Sequence, residues 1–196
     1  MIKAHLAVID DLKNYASPKA RLTRMLKAGT LVKVRRGLFV DDAPQSRRTL
    51  APVIYGSSYI SFQYALAVYG LIPERVQVVT SASFNKNRDK LFRTPLGEYR
   101  YLYLPVSVYP HGLHLEEEDG ASYLIASAEK ALCDTVYKAP KITAVDEMEP
   151  FLLDDMRMEK ESLRALDHEF IDWIAPMYRR KSLLALAAWF RKEDGK

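Results

Sequence analysis

The chain has 196 residues, of which 48% are hydrophobic and 28% charged, and a net charge of +4. That is ordinary for a soluble globular protein and fits one domain or two small ones. Cys133 is the lone cysteine, which excludes an intramolecular disulfide and a cysteine zinc cluster.

Lys3, Asp10, Asp11 and Lys13 leave no room for a signal-peptide apolar core near the start. The longest strongly apolar run, Leu183 to Phe190, is too short to span a bilayer. A cytoplasmic protein with no membrane partner is expected. The charge is unevenly placed: residues 1–50 carry +7, residues 51–140 carry −1 and residues 141–196 carry −2. A nucleic-acid-binding head on a near-neutral body follows from that asymmetry.

Residues 2–14 read as a first helix, with Ile2, Leu6, Ile9 and Leu12 on one face. A second helix follows with explicit punctuation. Ser17 suits the N-cap, Pro18 the first helical position and Gly29 the left-handed position after the end. Leu22, Met25 and Leu26 make its apolar stripe. Leu31 to Arg35 and Leu38 to Val40 read as a hairpin turned at Arg36-Gly37 and ended by Asp41-Asp42 and Pro44. Between residues 13 and 40 stand eight basic residues and no acid. A solvated face usually mixes its signs, so this clustering points to duplex DNA.

The expected unit is an abbreviated winged helix-turn-helix over residues 1–48, with fewer helices ahead of its wing than usual. Lys19, Arg21 and Arg24 are assigned to the major groove, where arginine bonds guanine bidentately. Lys27, Lys33, Arg35 and Arg36 are assigned to phosphates, with Ser17 at the helix start on the same DNA-binding surface. Arg47 and Arg48, in an expected linker over residues 41–52, either touch the backbone of the DNA or solvate the linker.

Residues 53–196 read as a mixed α/β domain with a helical tail from about residue 145, an α+β protein overall. Ser61 is expected to cap a helix through Tyr69, ended by Gly70. Val76 to Thr80 reads as a strand and Asn85 to Lys90 as a polar loop. Leu91 to Thr94 pairs with Tyr99 to Leu104. Glu116 to Gly120 reads as an acidic turn, and Ser127 as the cap of a helix over residues 128–137 stopping before Pro140. Helices are expected over 145–155, 159–173 and 176–192.

Chemistry is sparse. His111 and His114 lie near Glu116, Glu117 and Glu118, but a third ligand with defined spacing is missing, so no metal is assigned. Cys133 reads as a packed thiol. No catalytic residue and no cofactor are assigned. One alternative is an RNA-binding or nuclease module built on Arg93, Arg100, the loop 86–90 and the row Tyr99, Tyr101 and Tyr103, with Asp134 or Glu129 as metal ligands. A sheet face covered by a helix is the plainer account of the tyrosines. A second alternative is an interaction scaffold that uses Leu183, Leu184, Ala187, Ala188 and Trp189; packing within the chain is the plainer account there.

Two stretches carry a resemblance. Residues 59–71, YISFQYALAVYGL, resemble the pattern Y-I-S-x-x-x-A-L-x-x-x-G-L, and residues 127–134, SAEKALCD, resemble S-x-E-[RK]-x-L-x-D. With the basic head they resemble the AbiEi family of antitoxins over roughly residues 1–140. The resemblance implies a bacterial type IV toxin–antitoxin, or abortive-infection, locus. It implies a transcriptional repressor of its own operon that also counteracts a nucleotidyltransferase-like toxin, without requiring a stable complex with it. A homodimer on DNA is left open.

Overall fold

In the computed structural model, residues 2–41, 46–139 and 142–195 are described. The expected breaks at Asp42, Pro44 and Pro140 lie outside them. Ile2–Ala4 is not the start of a helix but a strand, β1, antiparallel to Leu38–Asp41, β3. Pairing of these residues delays the first helix, α1, to His5–Asp11. Its inward face is therefore Val8 and Leu12, and Leu6 is exposed rather than buried.

The second helix, α2, runs Pro18–Lys27 with Ser17 at the N-cap, but the serine side chain makes no capping bond. Arg21 N–H instead reaches the Ser17 carbonyl at 3.0 Å. Gly29 takes φ +73° after the last turn and Gly37 φ +80° in the hairpin turn, conformations that cost glycine little. The strand β2, Leu31–Arg35, pairs with β3 through a bulge between Lys33 and Arg35. The resulting sheet has the order β1-β3-β2.

This small sheet is buried on both faces. Leu31 and Phe39 join Val8, Leu12 and Leu22 under the two helices. Val34, Leu38 and Val40 belong instead to the main core.

The expected linker contains a helix, α3, over Arg47–Tyr55. Ser46 caps it, accepting from Arg48 N–H at 3.1 Å, and Leu50, Ala51 and Ile54 are fully buried. Pro52 falls inside it. Next come β4 (Ser58–Ile60), α4 (Phe62–Val68), β5 (Val79–Ser83), β6 (Lys90–Thr94), β7 (Gly97–Tyr103), β8 (Leu113–Glu118) and β9 (Ala121–Ala126). They make a mixed sheet of order β6-β7-β5-β4-β9-β8, with β5 parallel to β7 and β4 parallel to β9. The strand expected at Val76 starts three residues later. The acidic stretch Glu116–Glu118 is edge strand, and the turn is Asp119-Gly120.

One face of this sheet is covered by α3, and Tyr101 OH donates to the Ala51 carbonyl at 2.6 Å. The other face meets α4 and α5, Ala128–Lys138, whose N-cap Ser127 accepts from Lys130 N–H at 3.2 Å. The tail is more broken than its composition suggests. It holds a short turn of helix, α6 (Met148–Pro150), a π-turn over Phe151–Asp155, α7 (Lys160–Arg164), α8 (His168–Ile174), a 3-10 turn over Ala175–Tyr178, and α9 (Lys181–Asp194). Asp167 restarts the chain at α8, its carboxylate accepting from Phe170 N–H at 2.9 Å. α9 packs on α5 and α8 with Leu183, Leu186 and Phe190 buried, while Leu184 is exposed. Among the described residues, no helix is long and apolar enough to cross a membrane.

Candidate functional site

Two groups of charges stand out, and they are built in opposite ways. The first lies on α2 and the β2–β3 hairpin. Lys19, Arg24, Lys27, Lys33, Arg35 and Arg36 are all exposed, as is Ser17. None of these six cations has an ion-pair partner among the described residues. Two acids of this module are engaged elsewhere: Asp11 holds Lys3 at 2.6 Å and Asp10 holds Lys13 at 3.2 Å. The apolar stripe of α2 turns Leu22 inward and so leaves Lys19, Thr23 and Lys27 on the solvent side. Arg21 differs from its neighbours. It is half-buried, its guanidinium carbon lies 5.1 Å from the centre of the Tyr15 ring, and its Nε is buried without a hydrogen-bond partner.

The second group is fully enclosed. Lys130 and Asp134, one turn apart on α5, are both 0% exposed and form an ion pair. The Lys130 ammonium donates to Asp134 Oδ1, to Tyr59 OH at 2.7 Å and to Tyr178 OH at 2.9 Å. Tyr178 OH donates to the same Oδ1. Ser61 Oγ and Tyr59 OH donate to Oδ2 at 2.6 and 3.0 Å. All three ammonium donors are spent, and each carboxylate oxygen accepts twice. Burial, and then the Asp134 charge, push both phenols well above their ordinary range. A buried pair this well satisfied offsets much of its desolvation, whereas a lone buried charge would not.

This network joins both stretches that carry the family resemblance. Tyr59 and Ser61 come from the first, and Lys130 and Asp134 from the second; Tyr178 is added by the tail. The other motif residues are structural too. Ser127 caps α5, and Glu129 accepts from the Asp167 N–H at 3.2 Å, tying α5 to α8. No protein-family model and no curated protein matches this chain.

Most of the remaining candidates are accounted for by their surroundings. Asp134 is saturated by its neighbours, and among the described residues no three His, Cys, Asp or Glu groups stand together as a metal site. Tyr99 and Tyr101 are fully buried, so their faces are not offered to bases. Arg93 pairs with Glu98 at 2.9 Å. Cys133 is enclosed, and burial pushes its thiol far up. His111 lies edge-on to Trp173 at 4.9 Å, and His114 is on β8. Arg47 turns inward to the Gln77 carbonyl at 2.6 Å, and Arg48 faces Glu118 at 3.6 Å. The enclosed network escaped the sequence reading because it joins residues far apart in the chain. The Lys130/Asp134 spacing of i, i+4 was its one local signal.

Proposed function

We propose that this protein is a DNA-binding transcriptional repressor whose amino-terminal module grips duplex DNA. The observation that carries the reading is the set of six exposed cations on α2 and the hairpin that have no ion-pair partner among the described residues. A strand, two helices and a hairpin put these charges on adjoining elements, which supports a winged-helix reading in which α2 serves the major groove and the hairpin the backbone. Lys19 and Arg24 read base edges, with Arg21 propped by Tyr15 beside them. Lys27, Lys33, Arg35 and Arg36 hold phosphates.

Binding is tested on the full chain by fluorescence anisotropy, using DNA from upstream of its own gene and random DNA at several salt concentrations. Four phosphate contacts give a slope of roughly −4 in log K against log salt. A flat salt dependence overturns the reading.

The resemblance adds a second role, that of an antitoxin against a nucleotidyltransferase-like toxin. The enclosed network supports this reading only in that it gives both resembling motifs one common purpose in the fold. Growth rescue decides the role: expressed beside an adjoining nucleotidyltransferase-like reading frame, the chain should restore growth. If the toxin's effect is unchanged, the antitoxin role is lost and the repressor role stands alone.

A further inference from the structure

The sheet face opposite α3 holds a cavity of about 280 Å³, close to the enclosed ion pair but separate from it. Its walls come from α4, β5, β7, α5 and the π-turn. Phe62, Leu102, Phe151 and Met156 supply an apolar lining. Two irregularities of the backbone shape it. Phe62 has φ +59°, a conformation that is an outlier for a bulky residue. Phe151 begins the π-turn, a feature that recurs at functional sites.

Two cationic side chains, an amide and two hydroxyls ring this apolar lining. Thr80 and Thr135 hydroxyls are committed to the Ser61 and Ala131 carbonyls, each at 2.8 Å. Lys138 shares its charge with Asp89 at 3.2 Å. Arg100, in register with Thr80 across β5 and β7, has no acid partner among the described residues. Gln63 has only the Met156 sulfur, at 3.7 Å, for its amide. Among the described residues, no acid lines the cavity. An apolar slot with convergent polar groups is the usual form of a small-molecule site, and its volume lies near the lower end of the usual range.

We propose that this cavity binds a small aromatic carboxylate. The ring lies among Phe62, Leu102, Phe151 and Met156, and Arg100 holds the carboxylate, with Gln63 as a second donor. Guanidinium and carboxylate match as a two-point fork, and a neutral alcohol on the same ring would lack the charge that Arg100 complements.

The probe is 2-naphthoate, titrated calorimetrically into the full-length protein, with amide NMR shifts recorded in parallel. Saturable binding is expected, with shifts at Gln63, Thr80 and Leu102. Arg100→Gln should weaken it tenfold or more, and Met156→Trp should abolish it by filling the slot. Arg100 is exposed, so its variant folds; the NMR map of the wild type keeps the test decisive if the tryptophan variant does not. The proposal is overturned if no saturable binding is seen into the millimolar range or if shifts map elsewhere. It is equally overturned if 2-naphthalenemethanol or inorganic phosphate binds as tightly as 2-naphthoate, or if Arg100→Gln leaves the affinity unchanged.

Discussion

The cations of α2 and the hairpin and the ammonium of Lys130 are the same chemistry in opposite settings. On the amino-terminal module the charges face water and have no acid partners among the described residues. On α5 the charge is sealed away and every hydrogen-bonding position is used. An exposed unpaired cation costs little in the free protein and is ready for a polyanion. A buried one is tolerable only when fully partnered, and then it fixes which elements sit together. Lys130 joins β4, α5 and the turn at Tyr178, so the network is architecture, whereas the outer cations are left facing water.

The largest test of this contrast is Asp134→Ala. It strands the Lys130 ammonium and should cost about 3–5 kcal/mol in urea unfolding. The double variant Lys130→Met/Asp134→Leu should cost much less than the two single changes added together; additive losses would mean that the pair is not coupled. Arg24→Ala is expected to lower discrimination between operator and random DNA by about 1–3 kcal/mol. It should leave unfolding within about 0.5 kcal/mol of the parent, as befits a surface change. Arg35→Ala and Arg36→Ala should each reduce the salt slope by about 1 while weakening all sequences evenly.

The smallest expected effect concerns pH. His168 has the Asp194 carboxylate at 2.8 Å on one ring nitrogen and the Leu163 carbonyl at 3.0 Å on the other. Burial opposes its charge, but these two acceptors outweigh burial and raise its pKa above the ordinary 6.5. The stabilisation is therefore complete below pH 6.5 and is lost as pH rises through the raised value. Urea midpoints of the parent should approach those of His168→Gln as the pH is raised across that window. Parallel curves would remove His168 from the account.

What could be read from the sequence was what is determined locally. Pro18 and Gly29 bound α2 because helix ends are set by their own few residues, and Arg36-Gly37 marked the hairpin for the same reason. Ser17 shows the limit: its position was right, but its hydroxyl is not used. α3 was hidden by Pro52 and by its place in a polar stretch, although Ser46 was a legible cap. Val76 to Val78 looked like a strand by residue type, but pairing with β4 and β7 selects Val79–Ser83, whose serines are small enough to bury. The long helix expected over 159–173 breaks where Asp167 captures the Phe170 N–H. The basic surface was legible because it is contiguous in sequence. The enclosed network and the small cavity were not, since both are made by the topology of the six-stranded sheet.

The two-sided burial of the β1-β3-β2 sheet has a mechanical consequence. Val34, Leu38 and Val40 form the underside by which the head is glued to the body. Severed after residue 50, the head would carry that greasy sole into water and tend to stick to its own kind, so a weak response from such a fragment would report aggregation before affinity. The same packing ties the strands of the hairpin to the main core.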